Sequence, residues 1–457
     1  MADSTLPKPD PRGKVPSADS LKLVHSSDAP VGAKARVGGI RWTIMALILF
    51  PLTFVMSLDR TNMVVSAPII QRQFQFSLFQ MSLILTSFAW TYSFLQVPGG
   101  LLAERFGARK LLTFANGWWS VFTLLTPVGF SVASFVAIRG LLGLGQAADW
   151  PSSVYAIRRW FPDAERSKAN SILLGGLYLG PIIGAPLTVA IVQTLGWQWA
   201  FYIYGVVGFL TAALWWHFFR DRPGDSPHMS RAEAEYIDRG QLSPMVAEGG
   251  VSAWGRFIRS PQFWAIGLQY FFLILIQSFY VTWLPTYLIR DRHFSLTAMG
   301  FASSLPWVAL FVMVFVSGAL ADSIYRRTQS KWAARVPLAM AGFIISAAFL
   351  ILGSRATNPV LLIVFLMISL GAIGLTQVSI WSATQDLSAT FTGSVAGWTN
   401  FWGNFAGALG PIFTALLVGL TTNWTNALLI MALAGACGAV LWLFVHPERP
   451  LAPLSDH

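Results

Sequence analysis

The chain of 457 residues is 54% hydrophobic and only 11% charged, with a mean hydropathy of +0.57. A soluble globular domain carries roughly 25% charged residues, so this composition excludes that class and predicts a polytopic membrane protein. The net charge of +11 could suggest a nucleic-acid partner, but the basic residues must first be placed relative to the membrane. Cys437 is the single cysteine and lies in an apolar run, so the chain can form neither an intramolecular disulfide nor a cysteine metal cluster.

Residues 1–39 are rich in Pro, Ser, Asp and Lys and lack an apolar run, which predicts a disordered cytoplasmic tail. Beyond this tail we count about twelve apolar segments of membrane-spanning length. The first six are expected near 42–68, 78–103, 111–130, 131–160, 169–195 and 199–219. The second six are expected near 263–289, 298–321, 336–352, 360–385, 393–420 and 424–445.

The first apolar segment contains an acid and a base side by side, Asp59 and Arg60, after an uncharged run over 42–58. Each ionisable group at membrane depth costs at least about 2.5–3.5 kcal/mol, so such groups are tolerated mainly where they face a partner or a water-filled cavity. We therefore interpret the pair as part of a functional site. The alternative is that both residues lie near a helix end and reach the interface by snorkelling.

The fourth apolar segment contains a second arginine, Arg139, and a second acid, Asp149. Arginine suits an anion site because its planar fork binds a carboxylate at two points and stays protonated. Arg139 could instead be a helix-start residue near the outer interface, and Asp149 could merely balance an arginine, as buried charges usually require.

A repeated loop motif relates the two halves of the chain. Residues 99–110 read Gly-Gly-Leu-Leu-Ala-Glu-Arg-Phe-Gly-Ala-Arg-Lys, and residues 317–323 read Ser-Gly-Ala-Leu-Ala-Asp-Ser, with Arg326 and Arg327 following. Small residues let two helices approach closely, and the acid can then pair with a nearby arginine at the helix end. The same position in each half predicts two six-helix bundles related by an axis along the membrane normal.

These features divide the chain into five parts. We expect an N-terminal bundle at 40–220, a cytoplasmic linker with a short helix near 230–239 at 221–259, a C-terminal bundle at 260–446 and a cytoplasmic tail at 447–457. Most of the 31 Lys and Arg residues then lie on the side of the tails and the linker. This bias places both termini in the cytoplasm and explains the basic charge without nucleic acid.

The two loops resemble the signature of the major facilitator superfamily, Gly-x-Leu-Ala-Asp-Arg-x-Gly-Arg-Lys, with Glu104 where aspartate is usual. Asp59-Arg60-x-Asn62, the motifs within 88–100 and the stretch 158–166 are similar to the anion:cation symporter group of that family. The group contains bacterial permeases for galactonate, hexuronates, glucarate, tartrate and phthalate. The resemblance implies an all-α fold of twelve transmembrane helices and a multi-pass location in the bacterial inner membrane.

The resemblance also implies roles for individual residues. Gly100, Glu104, Arg105, Gly107 and Asp322 would gate the cytoplasmic side without touching substrate. Arg60, Tyr92, Arg139, Gln146, Trp381, Ser382 and Asn400 would form the substrate site. The family carries a proton-carrying glutamate where this chain has Gln146, which cannot titrate, and Asp149 could inherit that role. Leu177 departs from a pocket glutamine of the galactonate carrier, which leaves shorter or flatter anions possible.

Proton coupling has a physical route in this arrangement. Burial favours the neutral form of a carboxylic acid, whereas a nearby arginine favours the carboxylate. An anion that occupies the arginine therefore favours protonation of the acid. We hypothesise that Asp59 is the principal proton carrier and that Asp149 contributes.

The predicted function is secondary active import of a small organic anion, a carboxylate or a sulfonate, by proton symport with alternating access. An anion exchanger or uniporter of the same fold remains an alternative, and a channel suits two unlike halves less well. The sequence lacks the common motifs of an enzyme, and we expect no cofactor or metal. The expected partners are the anion, protons and the lipid bilayer, and the expected state is a monomer.

Overall fold

Helices make up nearly all of the structure, because a chain in lipid can satisfy its backbone hydrogen bonds only within helices or closed barrels. The computed structural model describes residues 39–241, 252–388, 390–421 and 424–451, and no strand occurs within these ranges. The predicted tail at 1–39 lies outside the described residues except for Gly39, as does the end of the second predicted tail from residue 452.

Eight helices form the first half of the chain: α1 Ile40–Gln73, α2 Leu78–Phe94, α3 Gln96–Phe106, α4 Ala108–Leu125, α5 Val132–Gln146, α6 Asp149–Trp160, α7 Arg166–Leu195 and α8 Trp197–Phe218. The linker carries α9 Arg231–Arg239 and α10 Ser252–Arg259. Six helices form the second half: α11 Pro261–Arg290, α12 Leu296–Thr328, α13 Lys331–Arg355, α14 Pro359–Leu387, α15 Thr392–Thr421 and α16 Trp424–Leu441.

Eight of the described helices are long and apolar enough to cross a membrane, namely α1, α7, α8, α11, α12, α13, α14 and α16 with its short extension. The other predicted segments correspond to α2 with α3, to α4, to α5 with α6, and to α15. Within the described residues the helices therefore follow the twelve apolar segments of the sequence.

The same three helix pairings occur in both halves. In the first half α1 packs on α7, α2 on α5 and α4 on α8; in the second half α11 packs on α15, α12 on α14 and α13 on α16. Close packing between the halves comes mainly from α7 against α12 and α3 against α15. This is the arrangement that an internal six-helix repeat produces, and all of these helices belong to one compact unit.

The fourth segment is interrupted, and the interruption changes the position of Asp149. The helix α5 ends at Gln146, and Asp149 is the first residue of α6 instead of lying one turn deeper on the helix of Arg139. Pro151 has no backbone N–H, so it cannot continue the α5 hydrogen-bond ladder. The Ala148 carbonyl accepts both the backbone N–H and the hydroxyl of Ser152, at 3.2 and 2.6 Å, at the start of α6.

The linker is fixed on one end of the first half. Its helix α9 begins after the N-cap Ser230, as the sequence predicts, and Glu233 accepts a hydrogen bond from Nη1 of Arg41 at 2.8 Å. The carboxylate of Asp221 accepts the backbone N–H of Arg109 at 3.0 Å. We call this end of the molecule, with the linker and the loops at 107, 161–165 and 329–330, the linker side.

Candidate functional site

Asp59 and Arg60 are neighbours near the middle of α1, but their side chains have different surroundings. Asp59 is buried, with 2% of its surface exposed, and its Oδ1 has no hydrogen-bond partner among the described residues. Arg60 is half-buried, and its Nε donates a hydrogen bond to Oε1 of Gln146 at 3.2 Å. Its guanidinium lies 4.3 Å from the ring centre of Tyr92. Both charges therefore lie within the helix bundle, and the snorkelling alternative does not describe this structure.

Arg139 lies on α5, and it is also buried, with 4% of its surface exposed. Its guanidinium carbon is 4.9 Å from the ring centre of Phe88, the same ring that lies 5.3 Å from the guanidinium of Arg60. The charge of Asp59 attracts Arg139 through space, while Arg60 repels it. Its Nε has no hydrogen-bond partner within the part of the chain that the structure describes. Two arginines and one acid thus form a buried charge cluster with unsatisfied groups, which a proton or an anion can rebalance.

Asp149 is a second buried acid close to this cluster. The side chain is fully buried, and neither carboxylate oxygen has a hydrogen-bond partner among the described residues. Arg60 is the charge that acts on it. Its position depends on close packing of α6 against α3, because a Cβ on Gly99 would lie 2.9 Å from the Cα of Ala148. An unpaired carboxylate is costly to bury, so the fold keeps Asp149 in place at an energetic disadvantage.

A cavity of about 150 Å³ lies between the two halves at the depth of Arg60. The polar and charged side chains that line it are Arg60, Tyr92, Tyr270, Asn400 and Asn404. The rest of the lining is formed by Met56, Trp150, Leu177, Ile274, Gly403 and Gly407. Arg60 is the one charged residue among these. The cavity therefore offers one guanidinium in a mostly apolar enclosure, which is a suitable site for a small anion.

Asn400 connects the two halves at the wall of the cavity. Its Nδ2 donates hydrogen bonds to the hydroxyl of Tyr92 at 3.3 Å and to Oε1 of Gln96 at 3.0 Å. Trp381 lies behind this wall and packs edge-to-face on Trp150 and on Tyr270, with ring centres 5.1 Å apart in each pair. The structure thus brings Asn400 and Tyr92 to the cavity, with Trp381 supporting two of the rings that line it.

Ser382, another predicted substrate residue, has its hydrogen-bond partners outside the cavity lining. Its hydroxyl donates to Oγ of Ser167 at 3.2 Å and accepts a hydrogen bond from Nδ2 of Asn170 at 3.2 Å. Both partners are on the linker-side half of α7. Ser382 therefore belongs to the contacts that join the halves on the linker side, and it does not line the cavity.

The acids of the two repeated loops bind helix N-termini of the opposite half. Glu104 accepts the backbone N–H of Ser394 at 2.6 Å and its hydroxyl at 2.7 Å, at the start of α15. Asp322 accepts the backbone N–H groups of Ser167 and Lys168 at 3.1 and 2.9 Å, at the start of α7. A helix N-terminus attracts an acid through its free N–H groups and its dipole. The expected arginine partners are not found in the ion pairs of the described residues, because the other half supplies these donors instead.

The other residues of the first loop motif shape this contact. A Cβ on Gly100 would lie 2.2 Å from the backbone oxygen of Gly393, so only glycine allows α3 and α15 to touch here. Gly107 has a φ of +84°, which favours glycine, and it lies against the carboxylate of Asp221. Arg105 is exposed, with its guanidinium 5.3 Å from the ring centre of Phe106.

A network of buried ion pairs also joins the halves on the linker side. Asp386 of the second half pairs with Arg166 of the first at 2.8 Å and with Arg335 at 3.4 Å. Asp163 pairs with Arg166 and with Lys331, the latter at 2.7 Å. Burial raises the pKa of Asp163, but the surrounding cations outweigh this effect and hold its pKa well below the usual range. Asp163 therefore stays ionised throughout the physiological pH range.

Sequence reasoning missed this network, although part of its signal was available. Asp386 is the single charged residue of α14, the same kind of signal that drew attention to Asp59. It lies near the helix end, where an acid is usually solvated, and so it was not selected. Lys331 and Arg335 follow the second loop motif in a basic stretch, where their charges are expected to be solvated. Their pairing depends on the packing of two helices from different halves, which local sequence does not show.

The fold and the site together define an integral membrane protein whose two related halves enclose a small cavity with one accessible arginine. The family model of the Major Facilitator Superfamily matches residues 49–411, and the chain belongs to this family of transporters. The family and the fold expected from the sequence are confirmed.

Proteins of similar sequence include several that are named as transporters. The chain is 29% identical to a D-galactonate transporter of Escherichia coli over 92% of this chain and 98% of that protein. It is 29% identical to a probable sulfoacetate transporter of Cupriavidus necator over 86% and 91%, and 27% identical to a chloroplastic ascorbate transporter of Arabidopsis thaliana over 90% and 76%. The solved structure of an Escherichia coli fucose:proton symporter matches with a TM-score of 0.65 at 14% identity, covering 88% of this chain and 98% of that one.

Proposed function

We propose that the protein imports a small organic anion, a carboxylate or a sulfonate, together with protons by alternating access. The observation that carries this proposal is the guanidinium of Arg60, which faces a cavity between the halves and lies beside a buried acid and a second buried arginine. Relatives named for galactonate, sulfoacetate and ascorbate support an anionic substrate. In this proposal Asp59 carries the proton, Asp149 contributes, and Arg139 couples the acid to the substrate site.

The coupling follows from charge balance in the cluster. An anion on Arg60 removes part of the positive field that keeps the nearby acids ionised, so anion binding and protonation favour each other. An anion and a proton together add no net charge, so the loaded cluster keeps the charge of the empty one, whereas an anion alone would change it. Gln146, hydrogen-bonded to Arg60, would orient the guanidinium without titrating.

The linker side is proposed to be the cytoplasmic side of a bacterial inner membrane, as the distribution of basic residues indicates. Hydrogen bonds and ion pairs between the halves cluster on that side, which supports a proposed state closed toward the cytoplasm. Glu104, Asp322 and the ion-pair network around Asp386 would then hold the cytoplasmic gate shut. Opening this gate must break contacts to both helix N-termini together, as alternating access requires.

Gly100→Ala is expected to weaken the closed linker side. The added methyl group would overlap the backbone of Gly393, and overpacking of this kind costs about 1–3 kcal/mol, which lowers the closed population roughly fivefold to a hundredfold. The measurement is thiol labelling from the linker side of Ser171→Cys, a buried interface position, in a Cys437→Ala background. Gly300→Ala is the matched control, because a Cβ there meets nothing within 4 Å. Equal labelling in both variants would contradict the proposed role.

Uptake into proteoliposomes tests the proposed function itself. With an acidic exterior, a carboxylate or sulfonate that binds the purified protein should accumulate inside above its external concentration, and a protonophore should abolish that accumulation. An exchanger of the same fold is the second candidate, and the replacement of the family glutamate by Gln146 favours it. Exchange would require a preloaded counter-anion and would persist in the presence of the protonophore.

A further inference from the structure

We infer that the substrate is a compact monocarboxylate with a flat, apolar body, in the size class of benzoate. This inference rests on the proposed function and adds the chemical class of the anion. It comes from four properties of the cavity around Arg60: its charge, its walls, its remaining hydrogen-bonding capacity and its size.

The charge of the cavity suits a single negative group. Arg60 is the only charged residue in its lining, and no acid lines it within the described residues. Arg139 is not among the residues that line the cavity, and its charge is offset by the attraction of Asp59. A dianion would bring one carboxylate to Arg60 and leave the other without a cation in an apolar enclosure, which is costly.

The walls favour a flat ring. Tyr92, Trp150 and Tyr270 present aromatic side chains to the cavity, and Leu177 and Ile274 add aliphatic surface. Aromatic rings pack on one another in offset or edge-to-face arrangements, and a planar ligand can join such a set. Gly403 on α15 leaves room for the ring of Tyr270 in this wall, because a Cβ at position 403 would lie only 2.4 Å from Cε1 of that ring.

The polar groups of the cavity are largely engaged with one another. The side-chain amide of Asn400 donates hydrogen bonds to Tyr92 and Gln96. The side-chain amide of Asn404 donates a hydrogen bond to the backbone carbonyl of Asn400 at 2.8 Å. A polyhydroxylated acid would have to break these bonds or leave its own hydroxyls unsatisfied. The cavity therefore offers few free hydrogen-bonding groups to a polyol.

The size of the cavity agrees with this class. Its volume is about 150 Å³, and an apolar protein cavity of about 150 Å³ holds one benzene molecule. A single ring can therefore occupy the aromatic part while its carboxylate reaches the guanidinium of Arg60.

The experiment is isothermal titration of the purified full-length protein with benzoate, phthalate, D-galactonate and sulfoacetate, each repeated on Arg60→Gln. Benzoate is expected to bind at least about tenfold more tightly than the other three, since a pocket with apolar walls discriminates by this order. Leu177→Gln should reduce the preference for benzoate over D-galactonate by about tenfold, because it adds a polar group to the wall. Leu177→Met keeps the wall apolar and should leave the preference unchanged.

The outcomes separate this inference from the function on which it rests. If D-galactonate, phthalate or sulfoacetate binds more tightly than benzoate and Arg60→Gln abolishes that binding, the substrate class is wrong and the proposed anion transport stands. If Leu177→Gln and Leu177→Met change the preference equally, the assignment of the apolar wall is wrong. If no anion of the panel shows Arg60-dependent binding, the proposed function fails with it.

Discussion

Replacing Arg60 by glutamine is expected to abolish anion binding and transport. Arg60 is the single cation that lines the cavity, so the variant leaves the carboxylate of the substrate with no opposite charge in an apolar enclosure. Removing one partner of a buried, hydrogen-bonded charge pair costs about 2–5 kcal/mol, and each 1.4 kcal/mol is about tenfold in affinity. Titration of the best-binding anion should therefore show a loss of at least about 30-fold, and counterflow in proteoliposomes should fall to background.

Two further arginine variants test whether the loss of binding in Arg60→Gln is specific to the guanidinium at this position. Arg60→Lys keeps the charge but loses the planar fork that binds a carboxylate at two points, so it should retain weak binding. Arg72→Gln changes an exposed arginine in the last turn of the same helix and should bind and transport like the wild type. Full affinity in Arg60→Gln, with normal folding, would show that the anion binds elsewhere.

Several residues of this site can be predicted from the sequence, because a charged residue inside an apolar segment is easily recognised. Asp59, Arg60 and Arg139 interrupt apolar segments, and the structure places all three within the helix bundle. Pro151 is the sequence feature nearest to the break before Asp149. A charge in the middle of an apolar segment thus predicts burial, whereas a proline alone does not predict a break, since Pro181 and Pro186 lie inside α7 without ending it.

Contacts between the two halves are much harder to predict from the sequence. Glu104 and Asp322 are recognisable in the sequence as the acids of the repeated loops, yet their partners are helix N-termini more than 150 positions away in the chain. Ser382 matched a substrate position by resemblance but lies in the linker-side contacts. Such partners depend on the register between two helices from different halves, and no local pattern encodes that register. Pairings of this kind must come from the three-dimensional structure.

Asp59→Asn is expected to uncouple transport from the proton gradient. Asparagine has nearly the same size as aspartate but cannot carry a proton, so the charge cluster loses its pH-dependent member. Proton-driven accumulation in proteoliposomes should fall by at least about tenfold, whereas counterflow exchange of the same anion should persist within a few-fold. The reason is that Arg60 and the cavity lining remain in place for binding, while the step that uses the proton gradient is removed.

The pH dependence of anion binding tests the role of Asp59 more directly than the transport assay does. In the wild type, protonation of Asp59 removes a negative charge close to Arg60 and Arg139, so anion affinity should rise as pH falls. Asp59→Asn imitates the protonated acid at every pH, and its affinity should be high and nearly independent of pH. Asp163 on the linker side does not produce this dependence, because its depressed pKa keeps it ionised until the pH falls below its usual titration range.

Asp149→Asn provides the comparison within the same cluster, because Asp149 is equally buried and is acted on by Arg60. If Asp59 is the principal carrier, Asp149→Asn should lower accumulation only a few-fold and keep the rise of affinity at low pH. The reverse result, with full accumulation in Asp59→Asn and none in Asp149→Asn, would move the proton from α1 to the start of α6. Such an outcome would leave anion binding at Arg60 intact, since the guanidinium faces the cavity in either case.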